Sequence, residues 1–128
     1  MWTFRAMNTE IAVAAPELSD RAERELAGEI EDLVLAERRR QVSEEWWTPQ
    51  HDDKHTEGEI ARAGACYAYM AGAGDDGRRH VLATGVPYLW PWSREWWKPT
   101  DRRRDLVKAG ALILAEIERL DRASALIT

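Results

Sequence analysis

Apolar residues return at three- and four-residue steps in three stretches of the chain, and each stretch predicts a helix. The first begins at Ser19, whose hydroxyl can cap free backbone amides, and carries Ala22, Leu26, Ile30, Leu33, Val34 and Val42. No proline interrupts it before Pro49, so it can run as far as Trp46. A loop from Thr48 to His55 follows. Thr56-Glu57-Gly58-Glu59 then reads as a capping box for a second helix from Glu57 to Ala71, which Gly72 and Gly74 stop. The third helix starts at Thr100 or Asp101 and reaches Ser124, with Leu106, Val107, Gly110, Ile113, Leu114, Ile117 and Leu120 as its apolar face. Residues 1–16 show no period and read as a flexible N-terminal arm, leaving 17–128 as a single helical domain. Between residues 75 and 99, Asp76-Gly77 signals a turn and His80 to Thr84 a short strand. Pro87, Pro91 and Pro99 forbid a long helix there. An ordered Trp/Pro-rich loop is expected, held to the core by Tyr88, Leu89, Trp90 and Trp92.

The pattern also repeats. Glu45-Trp46-Trp47-Thr48-Pro49 returns as Glu95-Trp96-Trp97-Lys98-Pro99, and each copy precedes a helical block containing Ala-Gly-Ala, centred on Gly64 and on Gly110. The predicted class is therefore all-α: three main helices with an internal pseudo-repeat. A glycine inside a helix costs roughly 1 kcal/mol relative to alanine, which points to a close approach of the second and third helices at those triplets.

Composition narrows the function classes. A net charge of −5 opposes general binding to nucleic-acid backbones, so no long nucleic acid is expected as a partner. No stretch has the roughly 18 consecutive apolar residues of a spanning helix, and no apolar run marks the N-terminus for export, so a cytoplasmic protein without a membrane partner is expected. The single cysteine, Cys66, excludes an internal disulfide and a Cys-type zinc site. Seven Trp and three Tyr against one Phe favour rings that carry a polar handle, which places some of them at a boundary. Three helices with this apolar load predict a homo-oligomer.

Trp96-Trp97-Lys98-Pro99, with Asp101-Arg102-Arg103-Arg104-Asp105-Leu106-Val107-Lys108-Ala109-Gly110-Ala111 and Ala115-Glu116-Ile117-Glu118-Arg119-Leu120, resembles the C-terminal signature of a family of small uncharacterised proteins of bacteriophages and prophages. Arg38-Arg39-Arg40-Gln41, Trp47-Thr48-Pro49-Gln50-His51-Asp52-Asp53 and Gly58-Glu59 resemble its other motif. The resemblance implies a phage setting, and a glycine where one ring of the Trp46-Trp47 pair stands.

Three features can carry chemistry. Arginine runs occur at Arg38 to Arg40, at Arg78-Arg79 beside His80, and at Arg102 to Arg104. The last opens a helix, where the macrodipole repels cations unless they hold an anion. A solvated face paired with neighbouring acids is the plainer alternative. Next come the tryptophan pairs beside those runs, since a flat ring stacks on a base while guanidinium forks bind phosphate. The plainer alternative is that one ring of each pair packs in the core while the other covers the rim. Candidate ligand-binding residues are thus Trp46, Trp47, Trp96, Trp97, Lys98, Arg39, Arg102, Arg103 and Arg104. Third, His51, Asp52, Asp53 and His55 have the spacing of a divalent-metal site, although aspartates there can equally order a loop. No other cofactor is indicated.

The leading expectation is a non-catalytic protein for a small anionic ligand, a nucleotide or nucleotide-like anion, sequestering a host immune signal. A protein–protein inhibitor of a host defence factor is one rival. The other is a MazG-like metal-dependent nucleotide pyrophosphohydrolase, for which Glu29-x-x-Asp32 and Glu118-x-x-Asp121 fit one acidic spacing, while the Glu-x-x-Glu expected on the second helix is missing.

Overall fold

Ser19 opens the first helix as its spacing predicts: its Oγ accepts the Ala22 amide at 3.1 Å. The structure, a computed structural model, describes residues 19–127, so the expected arm at 1–16 lies outside the described residues. Helices are α1 (Asp20–Glu45), α2 (Pro49–Asp52), α3 (Glu59–Gly72), α4 (Asp75–Thr84) and α5 (Arg102–Ile127), with a 3-10 turn at Arg94–Trp96. No strand occurs among the described residues, and the all-α class holds. None of these helices is long and apolar enough to cross a membrane.

The chain divides into two compact units, 1–32 and 33–128, with α1 beginning in the first and ending in the second. In the first unit, Arg21 pairs with Glu25 one turn on at 3.0 Å, and Leu26 and Ile30 are exposed.

In the second unit the core forms where α3 packs on α5. Ile60, Ala63, Cys66, Tyr67 and Met70 of α3 meet Ala109, Leu112 and Ala115 of α5. Burial pushes the Cys66 thiol up to about 11, as for a small buried hydrophobe. The apolar face predicted for α5 is only partly the buried one. Val107 is buried, but Leu106, Ile117 and Leu120 face outward and Ile113 stays half exposed at the edge of the α3 crossing, because small alanines let α3 come close. In this unit α1 likewise buries a polar i, i+4 row, Glu37, Gln41 and Glu45, with Arg38 beside it, while Leu35 is exposed.

The glycine triplets serve different contacts. A methyl on Gly64 would stand 3.5 Å from the Ala109 carbonyl oxygen and from Leu112 and Ile113 of α5, as a helix crossing demands. Gly110 instead faces Val34 of α1, at 3.4 Å from a built methyl, so it does not belong to the α3–α5 crossing. Gly64→Leu should therefore lower stability by about 1–3 kcal/mol through overpacking. Gly110→Ala should be tolerated and gain up to roughly 1 kcal/mol of helix propensity. Thermal unfolding of the two variants checks the order.

Three local expectations are corrected. The His80 to Thr84 segment is helical, within α4, because Asp75 and Asp76 favour the dipole of its first turn and Arg78 anchors it from within. The α3 capping box is half formed: the Glu59 carboxylate accepts the Glu57 amide at 2.6 Å, yet the helix starts behind Gly58 at φ 84° with no side-chain cap. The Trp/Pro loop is ordered, but Tyr88 is 99% exposed and Leu89 is exposed too, so the rings that hold it are Trp90, Trp92 and Trp97. Gly85 begins the loop at φ 113°, where any side chain would run into the Arg94 guanidinium.

Candidate functional site

The end of α1 places two tryptophans in opposite environments. Trp47 donates its amide to the Gln41 carbonyl, six positions back, at 3.0 Å, closing a turn at the end of α1. That turn needs a left-handed residue just before Trp47, and Trp46 supplies it at φ 62°. A left-handed residue just past a helix is where glycine is usual. The outcome is a Trp46 ring 75% exposed beside a buried Trp47 ring. The second pair divides the same way, with Trp97 buried and Trp96 half-buried.

Trp46, Trp47, Trp92 and Trp96 line one cavity of about 300 Å³, together with Glu45, His51, His55 and Ser93. Trp47 lies 5.3 Å from Trp92 and 6.4 Å from Trp96, with ring planes tilted by about 50° in both pairs. His55 stands 5.3 Å from Trp92 and 4.7 Å from His51. Behind this wall, Trp90 meets Tyr67 edge-on and Trp97 lies tilted against it, and the Tyr67 hydroxyl accepts the Lys98 amide at 3.0 Å.

Ion pairs fix the cavity's frame. Arg38 donates to the Trp47 carbonyl and to Asp52, both at 2.9 Å, tying α1 to α2. From α5, Arg122 holds Asp53 at 2.8 Å and the Pro49 carbonyl at 3.3 Å. Glu45 takes Arg40 at 2.8 Å on one carboxylate oxygen and Lys98 at 3.1 Å on the other, and the Lys98 ammonium sits 5.5 Å from the Trp96 ring centre. Beneath, Glu37 receives Arg40, Gln41 and Arg104. Burial alone would raise the Glu37 carboxyl, but the bonds and charge of Arg40, with the charge of Arg104, hold it below its ordinary range. A carboxyl depressed on folding stabilises fully above its unfolded pKa and loses that contribution as pH falls through the folded value. Denaturation titrations from about pH 7 down to about pH 3 should show stability falling at the acid end, with a shallower slope in Glu37→Gln.

The predicted site residues are only partly brought together. Trp46, Trp47 and Trp96 share the cavity; Trp97 packs away from it, and Lys98 stands over Trp96 at its edge. Arg102, Arg103 and Arg104 do not converge. Arg102 donates to the Ala71 and Ala73 carbonyls at 2.9 and 2.5 Å and pairs with Asp75 at 2.7 Å, closing the end of α3. Arg104 crosses to Glu37. Arg103 and Arg39 are exposed, with no ion pair among the described residues. The dipole conflict at the start of α5 is thus met by Asp101, whose carboxylate accepts the Arg104 amide at 2.8 Å, and by acids facing the guanidiniums.

The metal set His51, Asp52, Asp53 and His55 is likewise not brought together. No group of three or more His, Cys, Asp and Glu among the described residues could hold a metal ion. The physical reason is that α2 turns Asp52 to Arg38 and Asp53 to Arg122, while His55 reaches Glu59 at 3.3 Å and the two imidazoles face the tryptophans. Burial, then His55 and Lys54, pushes His51 below the usual histidine range, which favours a neutral ring there.

Glu45, Trp92 and Ser93 belong to the cavity without having been singled out. Glu45 had a signal: it continues the row Glu37, Gln41 on a helix that should bury apolar residues. Compared with known protein families, curated proteins and solved structures, the chain matches none.

Proposed function

We propose that the protein binds a nucleotide or nucleotide-like ligand by its ring, without transforming it. The observation that carries the reading is the four-tryptophan cavity, whose volume suits a small molecule and whose faces suit a planar base. The acids of the pyrophosphohydrolase spacing, Glu29, Asp32, Glu118 and Asp121, are exposed, and Glu118 lies 3.5 Å from Arg38. In the phage setting that the resemblance implies, binding without turnover would remove a host nucleotide signal. Titrating mono-, di- and cyclic nucleotides against tryptophan fluorescence and by calorimetry tests it. Saturable quenching that Trp96→Ala weakens by about ten- to a hundredfold, with no product released, is expected. Magnesium-dependent release of pyrophosphate or phosphate would overturn the non-catalytic reading.

The same proposal includes a homodimer through α5. Leu106, Ile113, Ile117 and Leu120 form one exposed stripe whose first, second and fourth members are spaced by sevens, as in a two-helix seam. A second copy laid antiparallel would bring Arg103, exposed near the start of the stripe, towards Asp121, exposed at its end, on both sides of the dyad. Light scattering should give twice 14.7 kDa, and Ile117→Lys should give the monomer. A monomer for the unaltered protein at tens of micromolar would sink this part.

A further inference from the structure

Among the described residues Glu45 is the one acid in the cavity wall, and its placement is costly to explain by packing alone. It sits at the end of α1, buried, with Arg40 on one carboxylate oxygen and Lys98 on the other. A carboxylate offers about four lone-pair positions, so two cations leave acceptor capacity on both oxygens. The Lys98 contact also puts that carboxylate beside Trp96, which lines the same cavity. Around it the other polar lining residues are His51, His55 and Ser93. The wall therefore presents one paired acceptor and separate groups able to donate, between faces that select for a flat ring. Among bases, guanine matches that arrangement: its ring N–H and exocyclic amine form two parallel donors, and its carbonyl oxygen is an acceptor next to them. Adenine offers a single amine beside a ring acceptor, which would set an acceptor against the carboxylate.

We infer that the cavity selects a guanine-type base, with Glu45 receiving its two parallel N–H donors while the tryptophans stack on its faces. This rests on the reading of the cavity as a base-binding site. Recognition by a bidentate acceptor strongly rejects ligands lacking a donor, because an unmatched polar group is then buried against the carboxylate.

The test compares guanosine, inosine and adenosine 5′-monophosphates on the unaltered protein by calorimetry and tryptophan quenching. All three carry the same phosphate, and inosine lacks only the exocyclic amine. Guanosine monophosphate should bind about tenfold or more tightly than the inosine form, with the adenosine form weakest. Glu45→Gln should bring the guanosine and adenosine affinities to within a few fold, while its unfolding curve shows that the domain persists. Should Glu45→Gln fail to fold, the three-ligand order on the unaltered protein decides alone. If adenosine monophosphate bound as well as guanosine monophosphate, the edge recognition would be wrong and the base-binding cavity would stand. If none of the three quenched tryptophan fluorescence or released heat up to millimolar concentration, both would fall together.

Discussion

Asp105→Ala is expected to unfold the helical unit at ordinary temperature or leave it barely folded. The side chain is 0% exposed and both of its oxygens are engaged. One accepts the Thr100 amide at 2.8 Å, fixing the entry to α5, and the other accepts Arg78 of α4 at 2.9 Å. Arg78 in turn donates to the Met70 carbonyl at the end of α3, at 2.8 Å, and to the Thr100 carbonyl. One carboxylate thereby joins α3, α4, α5 and the close of the tryptophan loop. Removing it leaves a guanidinium with little solvent and no counter-charge, which costs on the order of 3–5 kcal/mol where a domain has only about 5–15 to lose. Asp105→Asn keeps an acceptor for Thr100 while losing the charge that Arg78 meets, so it should fall between. Urea unfolding of the three proteins, with helicity as signal, gives the order directly. Near-equal midpoints would mean that Arg78 finds water and that the junction contributes little.

The Arg78 junction also shows where the sequence was legible and where it was not. Helix α5 could be read from its cap and its period, because both signals are local. Its buried side could not, since Leu106, Ile113, Ile117 and Leu120 have the stronger pattern and the alanines that let α3 approach look neutral. The α4 segment read as turn and strand for a similar reason: Gly77 and the β-branched Val81 lower its local propensity, and the partner that holds it, Asp105, lies on a distant helix. At the cavity, the tryptophan pairs were readable as an in-and-out repeat, since period alone separates neighbouring rings. The arginines were not. A run such as Arg102 to Arg104 carries no mark of whether its charge meets a ligand or Asp75 and Glu37, which are remote in sequence.

Trp46→Gly should move stability and ligand affinity in opposite directions. Trp46 is the left-handed residue of the turn that ends α1, at φ 62°, a conformation that costs a residue with a side chain on the order of 1 kcal/mol or more. Glycine adopts it freely, and because the ring is 75% exposed little packing is lost on removing it. The substitution should therefore raise unfolding stability by roughly 1 kcal/mol, offset in part by the greater freedom of glycine in the unfolded chain. Binding should suffer, because an exposed ring at the mouth of a cavity gains its partner only when a ligand covers it. Loss of one base-stacking face corresponds to about 1–3 kcal/mol, or roughly five- to a hundredfold in affinity. Trp46→Ala separates the two effects: it keeps the backbone strain and loses the ring, so it should match the glycine variant in binding and fall below it in stability. Paired melting curves and nucleotide titrations on the two variants provide the comparison. Unchanged affinity in both would remove Trp46 from the site, and the strained tryptophan would then require a partner other than the cavity's ligand.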